Sequence, residues 1–353
     1  MAIWYVYPLW HRVSFSLVGQ KHVQYLRKYF RVEEIDELAF PHITPHSKPI
    51  VFVNPYFYCM LRASRFISRK LHLYGALIGI DVADSDHITN LAVSMTNYAT
   101  AMVTHSNFCK QAFLRSGVTV PVYVVPHGLD PEWYTKPLSN GVYFNEIAKL
   151  KREKKMKIIL FFLWHSGFRK GVDLVIEWYK RLKKERKDVI IVLKTWIPNA
   201  IEAKQLAPYG CIHIYGWLTE EQKMELFDLA DLYPLFSRGG GFEMNGLEAL
   251  ARETVVIAPK GGSWEDYMPS WGLVESKRCP IVLKDNPIHD GGGVEILIEK
   301  AVDKAHVILD NLDDYKARVR EHVRNHVSKV FRWDVTAEKL RDIALSILNR
   351  LRR

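Results

Sequence analysis

The sequence predicts an α/β fold of two Rossmann-like domains, each built on a parallel sheet, and three observations predict it. Short apolar runs alternate with amphipathic stretches in both halves, the pattern of repeated βα units. The run 157–164 is apolar after its first residue, as suits a strand buried on both faces. A chain of 353 residues has room for two cores of ordinary size and is long for one.

In the first half, 3–7, 50–54, 73–80, 100–104 and 122–126 read as strands, and 19–29 and 107–116 as helices between them. The second half repeats the scheme. Strands are expected at 157–164, 189–194, 211–215, 231–236 and 254–258, with helices at 172–184, 220–230 and 246–252. Val172, Val175, Trp178 and Leu182 line one face of the first of these helices. The domains are expected at 1–150 and 151–333, joined through 137–155, where the turn Ser139-Asn140-Gly141 precedes a strongly basic run. Residues 294–353 read as helices. Trp333 and the stripe Leu340, Ile343, Ala344 and Ile347 are expected to pack back on the body, the helix 334–353 against the first domain.

Composition excludes disorder and collagen-like structure, with 48% apolar and 25% charged residues. A net charge of +10 favours anionic partners: phosphorylated substrates, acidic lipid or nucleic acid. A generally basic surface fits the same number. Cys59, Cys109, Cys211 and Cys279 form no CxxC pair, so they are expected to be reduced and mostly buried. The opening 1–9 reads as a first strand, because Trp10, His11 and Arg12 follow too soon for a signal peptide. No apolar run approaches the roughly 20 residues that span a bilayer. A cytoplasmic protein is expected, with any membrane contact peripheral. Scarce glutamine beside many lysines and arginines points to a thermophile.

Two loops carry the chemistry. Gly239-Gly240-Gly241-Phe242-Glu243 leaves a strand and opens a helix, where glycine backbone and unpaired helix amides suit an anion. His165-Ser166-Gly167-Phe168-Arg169-Lys170-Gly171 also joins a strand to a helix, and its two cations suit a diphosphate. Taken singly, the first also fits a sharp turn and the second a pair of solvated charges.

Their order with Tyr215-Gly216-Trp217-Leu218, Ala230-Asp231-Leu232 and Leu247-Glu248-Ala249-Leu250-Ala251 resembles the retaining glycosyltransferases of family 4, which have the GT-B fold. Thr104-His105-Ser106 and Val125-Pro126-His127-Gly128-Leu129-Asp130 are similar to the stretch of that family before its interdomain crossover. The resemblance covers about residues 100–259. It implies two domains facing across a cleft, the donor held by the second and the acceptor by the first. By the resemblance, Glu248 accepts the nucleotide ribose hydroxyls, and Arg169, Lys170 and Gly241 bind the donor phosphates. Phe242 and Glu243 lie where the sugar is held, and Gly216 and Trp217 flank the nucleobase, although Trp217 also suits a core position. The implied reaction is a metal-independent hexosyl transfer without a cofactor, from a UDP- or GDP-linked sugar to a hydroxyl of a glycan, lipid or protein.

The chain departs from the pattern at three places. Gly240 stands where the first glutamate of the E-x7-E motif belongs, Trp164-His165 replaces Gly-Arg, and Leu9-Trp10-His11-Arg12 replaces a glycine-rich loop. Glu243 is the substitute carboxylate, or else a helix cap. On the acceptor side Asp81 and His87 are the catalytic candidates, whereas Asp84 to His87 also fit a cap for the next helix. No metal site is expected, and His127 reads as structural. Arg62, Arg65 and Arg69 share a helical face suited to an anionic membrane or to ordinary exposure. A non-catalytic nucleotide or sugar binder is the alternative function. A nucleic-acid binder is supported by charge alone and is not expected.

Overall fold

The structure is a computed structural model and describes residues 2–11 and 13–351. Met1, Arg12, Arg352 and Arg353, which fall in the expected first strand, first loop and last helix, lie outside the described residues. The chain forms two compact units. The first comprises the chain through Leu129, Leu283–Gly291 and the segment from Val330 onward; the second comprises Asp130–Val282 and Gly292–Lys329.

The first unit is built on six parallel strands: β1 (Ala2–Tyr7), β2 (Arg31–Asp36), β3 (Ile50–Val53), β4 (Ala76–Ile80), β5 (Ala101–Thr104) and β6 (Val122–Val124). Their spatial order is β2-β1-β3-β4-β5-β6. The central strands are apolar throughout and buried, as in-sheet strands covered on both faces must be. Edge strand β2 was not foreseen, because Arg31-Val32-Glu33-Glu34-Ile35-Asp36 buries only Val32 and Ile35. Helices α1 (Ser14–Leu26), α2 (Tyr56–Ser68) and α3 (Asn107–Arg115) flank the sheet. Helix α1 begins five residues before its expected start. Ser106 caps α3 by accepting the Cys109 amide at 3.2 Å.

The second unit carries β7 (Lys157–Phe162), β8 (Val189–Thr195), β9 (Cys211–Tyr215), β10 (Leu232–Pro234), β11 (Val255–Pro259) and β12 (Leu273–Val274), all parallel. The order β12-β11-β10-β7-β8-β9 is the doubly wound arrangement of dinucleotide-binding domains, with its reversal between β7 and β10. Helices α4 (Gly167–Lys170), α5 (Val172–Glu185), α6 (Glu220–Leu229) and α7 (Met244–Ala251) connect these strands. Thr219 and Gln222 form a capping box at α6, the Thr219 amide donating to Gln222 Oε1 at 2.9 Å and the Gln222 amide to Thr219 Oγ1 at 3.2 Å. Segment 139–144, within the expected linker, is held by this unit: the Val142, Tyr143 and Phe144 amides donate to the buried Glu225 carboxylate at 2.6–2.8 Å.

Helix α8 (Trp333–Leu351) packs against α1 in the first unit. Trp333, Leu340, Ile343, Ala344 and Ile347 are all buried, as their spacing predicts. The Leu129 amide donates to Phe331 O at 3.0 Å, and Thr336 Oγ1 to Pro126 O at 2.8 Å. Gly128 is required there, because a Cβ would run into the Arg332 and Trp333 backbone. All four cysteines are free, three of them buried. Among the described residues, no helix is long and apolar enough to cross a membrane.

Candidate functional site

In an open α/β sheet, ligands bind beyond the carboxyl ends of the strands where the order reverses. In the second unit that point lies between the loops after β7 and β10, which carry Arg169-Lys170 and Gly239–Glu243. Backbone geometry brings the two loops together. Gly171 has φ +68°, and a Cβ there would collide with the Phe236 carbonyl, so only glycine permits the contact. The Arg238 amide then donates to Arg169 O at 2.7 Å.

The carboxylate of Glu243 sits at the centre of this contact. Lys170 Nζ donates to Glu243 Oε1 and Oε2 at 2.7 and 2.6 Å. Arg169 Nη1 reaches Gly239 O at 3.2 Å and Glu243 Oε1 at 3.4 Å. Glu243 precedes α7 with φ +56°, and its side chain makes no cap to the helix, contrary to the capping alternative. Its carboxylate occupies the space where a Cβ at Gly240 would begin. A side chain at position 240 and the present Glu243 conformation are therefore mutually exclusive. Arg169 is buried, whereas the Lys170 side chain keeps 26% of its surface. Of the two cations, Lys170 is the one a solvent-borne anion meets. Gly241 lies in the same turn, and the buried Phe242 ring packs on Tyr267 with centroids 5.5 Å apart. His165 is exposed, its Nδ1 2.7 Å from Ser166 Oγ.

Glu248 lies within α7, buried. Lys223 Nζ donates to its Oε1 at 2.5 Å, while Oε2 is buried with no hydrogen-bond partner. Burial pushes its carboxyl pKa up, and the Lys223 ammonium pulls it back down. A buried carboxylate oxygen with nothing to accept from is costly, and a ligand hydroxyl would relieve that cost.

A cluster of indoles stands at the ends of β7, β8 and β9. The Trp164 ring lies 4.5 Å from Trp196 and 5.6 Å from Trp217, and all three keep 42–51% of their surface. Trp217 is thus not a core residue. Below them the buried Lys194 places Nζ 4.8 Å from the Trp164 ring centre and donates to Gly216 O. Burial, then the charge of Lys223, lowers its pKa to about 8. Sequence reasoning assigned no role to Lys194, Lys223 or Trp196. The one signal available was a lysine ending the otherwise apolar strand 189–194.

The first unit holds the other candidates. Asp81 directly follows β4, buried, and its carboxylate accepts the Phe57 amide at 2.7 Å and the Val82 amide at 2.8 Å. It therefore ties the sheet to the start of α2, and burial raises its pKa to about 7. His87 is exposed, with Nδ1 2.7 Å from Asp290 Oδ1, a partner nothing in the sequence indicated. The helix that follows is capped by Thr89, not by Asp84 to His87. On α2, Arg62 pairs with Glu37 at 2.6 Å, and Arg65, Arg69 and Phe66 are exposed. Among the described residues no three His, Cys, Asp or Glu side chains group as a metal site.

Known proteins resemble this chain in sequence and in fold. The family described as glycosyl transferases group 1 matches residues 144–272, the span that contains both loops and Glu248. Uncharacterized protein 356 of Sulfolobus islandicus rod-shaped virus 1 is 38% identical over 333 residues, covering 91% of this chain and 92% of its own. Among solved structures, a glycosyltransferase from Rickettsia africae superposes with a TM-score of 0.70 at 15% identity, covering 98% of each chain. Sucrose-phosphate synthase of Thermosynechococcus elongatus gives 0.71 at 11% identity, with 99% of this chain and 100% of that one covered. These likenesses establish the GT-B fold. The chain belongs to one family with the rod-shaped-virus protein, and residues 144–272 of its second unit match the family model of the group 1 glycosyl transferases.

Proposed function

We propose that the protein is a retaining glycosyltransferase that moves a sugar from a nucleoside diphosphate, UDP or GDP, to an acceptor hydroxyl on a glycan, lipid or protein. The observation that carries this reading is Glu248, a buried carboxylate with one oxygen satisfied by Lys223 and the other unpartnered. A ribose cis-diol supplies the missing donor. The diphosphate then meets Lys170 and the amino end of α7 beyond Gly241, and Arg169 steadies Glu243. As the anomeric bond breaks, negative charge grows on the departing phosphate. A fixed cation there stabilises the transition state more than the ground state. The phosphate itself takes the acceptor proton, so transfer needs no separate base. Glu243, oriented by two cations, faces the sugar in place of the glutamate missing at Gly240. In the first unit, His87 with Asp290 serves the acceptor hydroxyl, and Asp81 supports the sheet end beneath it. Exposed Arg65, Arg69 and Phe66 suit peripheral contact with an anionic membrane.

The test is incubation with UDP- and GDP-sugars and simple acceptors, with the anomeric configuration of the product read by NMR. An α-linked donor should give an α-linked product. An inverted product refutes retention, and the absence of both transfer and donor hydrolysis refutes the enzyme. One observation favours the second reading, a binder without turnover: both cations are already paired with Glu243. Donor affinity without turnover would support it.

A further inference from the structure

The cluster around Lys194 has not been used by the chemistry above. It is assembled from three strand ends, and its two kinds of group do different things. The three indoles offer flat, half-exposed apolar surface, which suits a stacked aromatic ring. Lys194 is a buried ammonium, and burial of a charge is costly unless its donors are used. Of its three N–H donors one goes to Gly216 O, and its remaining visible neighbour is the face of Trp164. Solvated charge does not explain it, because the residue is 4% exposed. Nor does an ion pair, because the charged group that most affects it is another cation, Lys223.

Lys223 fixes where the cluster sits relative to the donor. It bonds Glu248 and lies 6.0 Å from the Phe162 ring, and Phe162 is the β7 register partner of Lys194, whose Nζ lies 4.8 Å from the Trp164 ring, so contacts lead from the ribose carboxylate to the indoles. A ribose on Glu248 therefore directs its base toward the indoles, with Lys194 at the base edge. Lysine donates and cannot accept. A keto oxygen on the base satisfies it, whereas the adenine amino group opposes donor to donor.

We propose that Lys194 selects donors whose base carries a keto oxygen where adenine carries its amino group, O6 of guanine or O4 of uracil and thymine, the base lying on the exposed indole surface of Trp164, Trp196 and Trp217. This rests on the donor-site reading of Glu248. The selection is an intrinsic property of the second unit and requires no acceptor.

The experiment is calorimetric titration of the full chain with GDP, UDP, TDP, ADP and inorganic pyrophosphate, repeated on Lys194→Met. The expected result is that keto-base nucleotides bind at least about tenfold more tightly than ADP, the scale of one hydrogen bond from a charged donor. In Lys194→Met that preference falls to within about threefold, while pyrophosphate binding persists. ADP binding as tightly as the others in the native protein overturns the role of Lys194 and leaves the donor site standing. A preference that survives in Lys194→Met overturns it equally. If no nucleotide and no pyrophosphate binds, the donor reading falls, and this inference with it. The native ranking needs no variant, so the proposal stays testable even if the methionine substitution prevents folding.

Discussion

Lowering the pH from 6.5 to 5.5 should destabilise the first unit by about 2 kcal/mol, through three imidazoles buried together. His22, His105 and His127 are each at most 7% exposed, and the His105 and His127 rings stack with centroids 3.7 Å apart. His22 receives only Tyr5, whose hydroxyl is 2.5 Å from Nδ1, and its Nε2 has no partner. His105 Nδ1 lies 2.9 Å from Val125 O. Burial lowers the His105 pKa to about 4, and burial together with neighbouring imidazoles holds His22 and His127 well below the usual histidine range. All three are neutral when folded and take up protons on unfolding once the pH falls below about 6.5. Stability is therefore complete above that value and lost as the pH falls. Across this interval each histidine contributes about 1 kcal/mol, because its unfolded form is already half protonated at pH 6.5, and together they contribute about 3. Asp81 opposes them. With a folded pKa near 7, its carboxyl is protonated first in the folded state, returning about 1.4 kcal/mol per unit over the same window. Asp334, which burial alone would raise but the Arg332 guanidinium and the Val335 amide hold low, acts only at more acid pH. The net is about 2 kcal/mol out of a typical 5–15. Native-state hydrogen exchange on peptides of β1 and β5, corrected for intrinsic pH dependence, isolates this unit where a single melting curve would not. His105→Gln should flatten the slope by about 1 kcal/mol over this interval, and Asp81→Asn should steepen it by about as much. Equal protection at the two pH values, or an unchanged slope in His105→Gln, would refute the reasoning.

Three further outcomes are expected. Lys170→Ala should lower turnover by about 100-fold or more while circular dichroism stays native, since an electrostatic group facing a leaving phosphate is removed; near-normal turnover sinks the phosphate assignment. Native protein should prefer a ribonucleotide to its 2′-deoxy analogue by about tenfold, and Glu248→Gln should shrink that gap severalfold, as read by calorimetry. Gly171→Ala should cost at least about 2 kcal/mol, from the left-handed φ and the overlap with the Phe236 carbonyl, seen as a lower melting temperature.

The parallel strands of both units other than the edge strands β2 and β12 were legible because a strand buried on two faces must be largely apolar, as in Lys157–Phe162. The strand-to-helix turn that carries Arg169 and Lys170 was legible from the glycines and the apolar run before it, whereas Glu248 was singled out by the family resemblance alone. What escaped depends on residues far apart in the chain. Glu225 holds 139–144 through a side chain more than eighty residues away, which periodicity cannot register. The Trp164, Trp196 and Trp217 cluster exists only because β7, β8 and β9 are neighbours. The pairing of Glu243 with Arg169 and Lys170 requires a left-handed glutamate, a conformation no propensity favours.

The return of α8 to the first unit also governs the order in which the molecule can be made. Phe331, Trp333 and Thr336 reach back to Leu129 and Pro126, so the surface formed early by α1 stays uncovered until the whole of the second unit has been translated. At ordinary elongation rates of about 5–20 residues per second that interval is on the order of ten seconds or more. During it the buried face of α1 and the histidine pocket under Trp333 are open to water, to chaperones and to other nascent chains. A stop codon or a fused tag ahead of residue 333 would therefore leave a maturation defect in the opposite half of the protein from the lesion.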